Sequence, residues 1–250
     1  ISTNADVRKI VFINLVQRVK VKYVIFEKVA FQSVEDFKEV ISMLDDLEIK
    51  SWVNCTRRMF PFYKKLRDVF STENKVEIHY SGSNWGLGCN SIHLLDLFAY
   101  LTGESHFTID ISGLDKKMYP AKRNSMIEFG GKLKVKTSRN DVLTLIDYKE
   151  SHEKSSKILK TEKFHYKILS SEGILIFKSK ESGWLESSFS YSMPFQSELT
   201  NILVMDLLNI GVCDLTPIYE SYEIHKSMLE AFKKHLNGVT GENYARVPIT

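Results

Sequence analysis

The residues best suited to proton transfer lie in the stretch Gly82–Gly103, GSNWGLGCNSIHLLDLFAYLTG. A loop rich in glycine runs into an apolar helix that we expect to begin at Asn90, a good N-cap residue, and to end at Gly103. Apolar side chains cover nearly every face of this helix, which predicts that it is buried. His93 and Asp96 lie three residues apart on it, so each needs a partner or a cleft.

His93 is the candidate proton acceptor, and it shares a polar stripe with Asp96 and Tyr100. In the first helical turn the helix dipole disfavours an imidazolium, so a neutral ring there could accept a proton. The alternative is a core histidine bonded to a backbone carbonyl. This stretch alone leaves both interpretations open.

A second group of polar residues follows the predicted strands. Glu27 and Lys28 end the strand Tyr23–Phe26, and Arg57 and Arg58 come shortly after the next strand. Ligands of parallel α/β sheets bind beyond the carboxyl ends of the strands. The two arginines suit phosphate oxygens, although ion pairs at a helix start would explain them equally well. Without further information, Lys28 fits an exposed strand end.

The elements that must position these residues change type along the chain. Helices at 6–20, 33–47 and 62–69 alternate with strands at 23–26 and 51–54, a pattern of parallel βαβ units. Strand-like runs then follow at 75–81, 107–112, 125–129, 133–137, 142–148, 164–169, 174–178 and 185–191. Helices at 196–209 and 218–237 close the chain, and the charged stretch 149–163 predicts a solvated loop or a sheet edge.

We therefore expect an α/β and α+β fold with two domains. Residues 1–74 would form a partial Rossmann-like parallel region, the back half of a nucleotide-binding domain. Residues 75–250 would form a substrate-binding and oligomerisation domain, a large, mostly antiparallel open sheet covered by helices, whose last helices pack back on the first domain.

Composition excludes several classes of protein. The 250 residues are 43% apolar and 26% charged, with a net charge of only +3, which does not indicate nucleic-acid or membrane partners. No apolar run approaches the length that spans a membrane. The three cysteines, Cys55, Cys89 and Cys213, lack zinc-site spacing, so we expect no metal, and their sparse, odd number favours a reducing cytoplasm.

Taken together, several motifs resemble the Gfo/Idh/MocA family of glucose–fructose oxidoreductase and inositol dehydrogenase. The basic pair that follows the second strand fits the order and spacing of this family, and so do the last helices. The most specific motifs are Ser2-Thr3-Asn4 for the A-T-P turn, Glu27-Lys28-Val29 for E-K-P, and GCNSIHLLD at Gly88–Asp96 for the helix with the catalytic histidine.

The resemblance implies an oxidoreductase that uses NAD or NADP and acts on a sugar or nucleotide-activated sugar. SGSNWGLGCN resembles members associated with bacterial surface-polysaccharide biosynthesis. Lys28 would polarise the reacting oxygen and His93 would carry its proton. Further candidates are Thr3, Asn4, Glu27 and Trp85 for the cofactor, and Arg57, Arg58, Asn90 and Asp96 for the substrate. We also expect homo-oligomers formed through the C-terminal sheet.

Two departures from the family pattern favour a second hypothesis. Cys89 stands where many members have an aspartate, and no glycine precedes Gly82 to form a phosphate-binding turn. The alternative is a protein of the same fold that binds a sugar nucleotide or a partner without redox chemistry. We also expect this chain to bind NAD(P) weakly, and to prefer an anionic ligand because Lys28, Arg57, Arg58, Lys64 and Lys65 cluster near the strand ends.

Overall fold

A computed structural model describes residues 1–250. In chain order its elements are α1 Ala5–Val16, β1 Tyr23–Phe26, α2 Val34–Asp46, β2 Lys50–Val53, a 3₁₀ turn Thr56–Met59, α3 Pro61–Phe70, β3 Glu77–Ser83, α4 Leu87–Thr102, β4 Thr108–Leu114, β5 Tyr119–Pro120, β6 Ile127–Glu128, β7 Gly131–Lys136, β8 Val142–Tyr148, β9 Ser156–Lys160, β10 Phe164–Leu169, β11 Ile174–Ser179, β12 Ser187–Ser190, α5 Gln196–Asn209, β13 Thr216–Pro217 and α6 Ile218–Thr240.

The first part of the chain forms the predicted parallel βαβ unit. Strands β1 and β2 pair in parallel with Tyr23 opposite Lys50, and β13 adds an antiparallel edge to β2. Helix α2 makes the crossover, and the Ser33 side chain caps it by accepting the Asp36 N–H at 3.1 Å. The carboxyl ends of β1 and β2 therefore lie side by side.

The second part forms one eight-stranded sheet in the order β12-β11-β10-β9-β3-β8-β7-β4. Every pair in it is antiparallel except β3 with β8, which confirms the predicted sheet. Helix α4 packs against β8, and α6 packs against β4. The 47 residues of the apolar core come from both parts of the chain, and the boundary at residue 74 stays a prediction.

The prediction for the charged stretch 149–163 was wrong over Ser156–Lys160. These residues form β9, which lies inside the sheet between β10 and β3. Lys157 and Leu159 are buried on one face of the strand, while Lys160 is exposed. The strand's period-2 pattern lies within a run of lysines and serines, so the charge run concealed it.

Helix α4 also begins earlier than predicted. It starts at Leu87 after Gly86, whose φ of 82° places the backbone in the left-handed region, so Asn90 is inside the helix and not its cap. Its end is as predicted, since Gly103 adopts φ 72° at the C-cap. None of the helices is both long enough and apolar enough to cross a bilayer.

Candidate active site

Two buried carboxylates hold the loop that leads into α4. Asp147 accepts the N–H groups of Gly86 and Leu87, both at 3.1 Å, and Glu128 accepts the N–H of Gly88 at 2.6 Å. These groups are the free donors of a helix N-terminus, so the carboxylates replace a side-chain cap. A Cβ at Gly88 would lie 2.9 Å from Glu128 Oε2, which explains the need for glycine at this position.

Lys28 lies against the start of α4. Its Nζ donates to the Cys89 carbonyl and to Asn90 Oδ1, both at 3.2 Å, and no carboxylate lies within ion-pair distance of it. Asn90 is fixed in turn, because its Nδ2 donates to the Trp85 carbonyl at 2.7 Å. The lysine ammonium is therefore held by neutral acceptors and keeps its charge available.

Arg8 holds the backbone around Lys28, and the sequence did not indicate it as a candidate. Arg8 is only 1% exposed, and its guanidinium donates to the carbonyls of Thr3, Val29 and Ala30. At the neighbouring strand end, Asn54 Nδ2 donates to Glu27 Oε2 at 2.8 Å. These contacts join the segments that follow β1 and β2 into one rigid edge.

His93 lies on the same helical face as Cys89 and Asn90, one turn further along α4. It is half-buried, and its Nδ1 is buried without a hydrogen-bond partner. Burial, followed by the positive charges of Arg57 and Lys28, lowers the pKa of His93 well below its usual value. The ring is therefore neutral. Because His93 lies in the second turn and not the first, desolvation and these two cations, and not the helix dipole, disfavour its charge.

Cys89 does not replace the missing aspartate electrostatically. Burial and the nearby Glu128 charge raise the pKa of its thiol to about 12, so the side chain is uncharged. The Cys89 backbone carbonyl, not its side chain, contacts Lys28. Lys28 is therefore positioned without a carboxylate at residue 89.

Asp96 and Arg58 are buried and bonded to each other, which argues against their predicted role in substrate binding. Arg58 Nε donates to Asp96 Oδ2 at 2.9 Å, and Arg58 Nη2 donates to Glu220 Oε1 at 2.7 Å. Thr216 also donates to Asp96, which is 1% exposed. The ring of Tyr100 packs against the Arg58 guanidinium, so the predicted polar stripe is divided between this ion cluster and His93.

Arg57 has the opposite surroundings to its neighbour. It is half-buried, no carboxylate pairs with it, and its Nη1 is buried without a partner. On the same side, Lys157 Nζ donates to Tyr63 Oη at 2.6 Å, and Tyr191 Oη lies 3.4 Å from Tyr63 Oη. Sequence reasoning missed Lys157, Tyr63 and Tyr191, and only the alternating burial of β9 could have indicated Lys157.

The predicted cofactor residues occupy different surroundings. Thr3 Oγ1 is buried without a partner, whereas Asn4 is exposed at the N-cap of α1 and makes no capping bond. Trp85 packs edge-on against Tyr80 with ring centroids 4.9 Å apart, and its Nε1 donates to the Ile146 carbonyl. These contacts favour loop packing for Trp85.

A surface cleft of about 510 Å³ lies away from these residues. It is lined by Glu48, Lys50, Trp52 and Tyr219 among others, at the amino end of β2. Ligands of parallel sheets bind at the opposite, carboxyl ends. We therefore place the candidate site at Lys28, His93 and Arg57 and not in this cleft.

Comparison with known proteins shows which folds the chain resembles. No protein-family model matches the sequence, and no curated protein matches it. Among solved structures, UDP-N-acetylglucosamine 3-dehydrogenase GnnA from Acidithiobacillus ferrooxidans has a TM-score of 0.69 at 12% identity, over 92% of this chain and 76% of that one.

Two further structures are similar. The dehydrogenase MviM from Clostridium difficile has a TM-score of 0.66 at 15% identity, over 95% of this chain and 77% of its own. A super-repressor mutant of Gal80p from Saccharomyces cerevisiae has a TM-score of 0.69 at 10% identity, over 94% and 77%. At such identities the likeness is one of fold. The chain therefore has the fold shared by these proteins, the Gfo/Idh/MocA fold that its motifs predicted.

Proposed function

We propose that this protein is an NAD(P)-dependent oxidoreductase that acts on a CH–OH group of a sugar or nucleotide-activated sugar. The observation that carries the proposal is the position of Lys28 against the face of α4 that carries His93. A lysine ammonium without an acidic partner is held on the helical face that carries a neutral, half-buried histidine. That pair can neutralise a growing alkoxide and accept a proton.

Lys28 and His93 would divide the work. A bound nicotinamide would supply the hydride acceptor. Lys28 donates a hydrogen bond to the reacting oxygen and stabilises the negative charge that grows there, because its ammonium meets only neutral acceptors in the protein. His93 takes the hydroxyl proton, since its lowered pKa keeps the imidazole neutral.

The residues present fit the nicotinamide end of such a cofactor. Thr3 Oγ1 is a buried polar atom without a partner, and Glu27 follows β1 at its carboxyl end. Residues 1–81 contain no glycine, so this chain offers no tight strand-to-helix turn for a pyrophosphate. We therefore expect weak binding when the 250-residue chain is titrated with NADH or NADPH by calorimetry, and micromolar affinity would contradict this expectation.

The catalytic roles are tested by His93→Ala and Lys28→Ala. At NAD(P) concentrations high enough to offset weak cofactor binding, each should lower turnover of UDP-N-acetylglucosamine, the substrate named for one structural neighbour, by about two orders of magnitude, the scale of a positioned acid–base group. The matched control is Lys22→Ala, because Lys22 is exposed just before β1. Melting temperatures should stay close to that of the unchanged protein. If His93→Ala unfolds the protein while specific activity persists, His93 is a core residue.

The alternative is a protein of this fold that binds a sugar nucleotide or a partner without redox chemistry. Two observations favour it: the uncharged Cys89 side chain and the likeness to Gal80p, whose structure is described as that of a super-repressor mutant. Tight sugar-nucleotide binding with no NAD(P)-dependent turnover would select this alternative. For either function, we expect homo-oligomers through the large sheet and a cytoplasmic location, as the sequence predicts.

A further inference from the structure

One cluster beside the candidate site consists almost entirely of hydrogen-bond donors. Lys157 is 4% exposed, its Nζ donates to Tyr63 Oη at 2.6 Å, and Tyr191 Oη lies 3.4 Å from Tyr63 Oη. No carboxylate forms an ion pair with Lys157, in contrast to buried lysines generally, which are seldom found without a paired acid.

Arg57 adds a second unpaired cation to this cluster. Its Nη1 is buried without a partner, and it forms no ion pair with the protein. Arg57 lies in the 3₁₀ turn Thr56–Met59, directly before helix α3, which carries Tyr63. Burial, with the positive charge of Arg57 second, lowers the pKa of Lys157 well below its usual value. Phenol oxygens are the acceptors that the cluster itself supplies, so its donors outnumber its acceptors.

We propose that Arg57, Lys157 and Tyr63 bind an anionic group of the ligand, a carboxylate or a phosphate. Such a group has several acceptor oxygens, and it supplies the negative charge that the cluster lacks. The planar guanidinium can donate two parallel bonds to it, while the amine and the phenol donate singly. That the anion is carried by a sugar rests on the proposed function, whereas the anion site itself does not.

The cluster lies close to the helix that carries His93. The 3₁₀ turn of Arg57 and helix α3, which carries Tyr63, both pack against α4. The charges of Arg57 and Lys157 also both contribute to the lowered pKa of His93. Tyr191 also lines a surface cleft of about 340 Å³ with Phe60, Phe62 and Ser192. The only acid of that cleft, Glu198, accepts the Phe195 N–H at 2.6 Å at the start of α5.

The competing explanation is a core lysine whose amine simply bonds a tyrosine. Ligand binding separates the two, because a packing role does not favour anions. Melting temperatures would be measured at constant ionic strength with four probes: glucose, glucuronate, glucose 1-phosphate and inorganic phosphate. A ligand that binds only the folded state raises the melting temperature, and dissociation constants follow from the concentration dependence.

We expect glucuronate or glucose 1-phosphate to stabilise the protein and glucose to do so at least tenfold more weakly. Stabilisation by glucuronate alone identifies a carboxylate site, and stabilisation by glucose 1-phosphate and inorganic phosphate identifies a phosphate site. Lys157→Met should weaken that binding at least tenfold. Lys160→Met, on the exposed face of the same strand, should leave it unchanged.

Arg57→Gln is the second variant should Lys157→Met fail to fold, and it should show the same loss. Equal stabilisation by glucose and the anions, no stabilisation by any anion, or unchanged affinity in Arg57→Gln would overturn the proposal. None of these measurements requires turnover. Loss of activity in His93→Ala with intact anion binding therefore tests the proposed function separately.

Discussion

Arg57 and Arg58 are neighbours in one short turn, yet they lie in opposite kinds of polar cluster. Arg58 forms a cluster with two acids, Asp96 and Glu220, in which its guanidinium bonds both carboxylates at 2.7–3.0 Å. Arg57 belongs to a cluster with Lys157 and two tyrosines that contains no acid.

The Arg58 cluster joins separate parts of the fold. Arg58 follows β2, Asp96 lies on α4, and Glu220 lies on α6, so three separate elements meet at one guanidinium. A buried ion pair is costly to break from one side, since the remaining charge stays desolvated. The acid-free cluster differs, because its unpaired donors gain hydrogen bonds only when a ligand with acceptor atoms binds there. Both arginines carry a positive charge, so charge does not distinguish a structural cation from a candidate binding cation in this protein. The presence of an acidic partner does.

The largest effect should come from breaking the Arg58 cluster. Arg58→Met leaves Asp96 buried without its partner, so the free energy of unfolding should fall by about 3–5 kcal/mol in urea denaturation followed by circular dichroism. The matched control is Arg57→Met, which strands no buried acid and should change that free energy by less than about 1 kcal/mol. Equal losses in the two variants would mean that both arginines are structural.

A smaller effect should appear in the pH dependence of the acid-free cluster. The pKa of Lys157 lies well below its usual value when the protein is folded, so between that lowered pKa and pH about 10.4 the unfolded chain binds more protons at this group. Lys157 should therefore contribute a rise in stability with pH between 8 and 10, of at most about 1.4 kcal/mol per pH unit. The raised pKa values of the Cys55, Cys89 and Cys213 thiols oppose this rise above the ordinary thiol pKa of about 8.5.

Lys157→Met should lose the contribution of Lys157, so the slope of its stability against pH should be lower than that of the unchanged protein. Lys160→Met should keep the slope of the unchanged protein. The measurement is the free energy of unfolding in urea at pH 8, 9 and 10. It stops at pH 10 because burial raises the pKa of Tyr63 and of Tyr191, so stability falls again above the ordinary tyrosine pKa of about 10. An unchanged slope in Lys157→Met would show that the buried amine keeps its ordinary pKa.

The contrast between the two arginines also shows where sequence reasoning reaches its limit. Local signals predicted the Ser33 cap and the Gly103 terminus correctly, because both depend on nearby backbone groups. The motif order led to the fold, and it indicated Lys28 and His93 as the candidates for catalysis. Arg57 and Arg58 could not be told apart, since the partners of Arg58 lie 38 and 162 residues away in the chain. Lys157 was missed because a buried lysine within a charge run resembles a solvated one.

The smallest effect concerns Lys64, one of the cations that suggested an anionic ligand. In the structure Lys64 is paired with Asp214, and both side chains are about half exposed, at 46% and 55%. Exposed pairs contribute little because solvent screens them, so Lys64→Ala should change the free energy of unfolding by less than about 0.5 kcal/mol. It should also leave the affinity for glucuronate or glucose 1-phosphate unchanged at 0.15 M salt, unlike Arg57→Gln, because a screened, already paired cation adds little to binding. A tenfold loss of anion affinity in Lys64→Ala would mean that the general positive surround, and not the acid-free cluster, attracts the ligand.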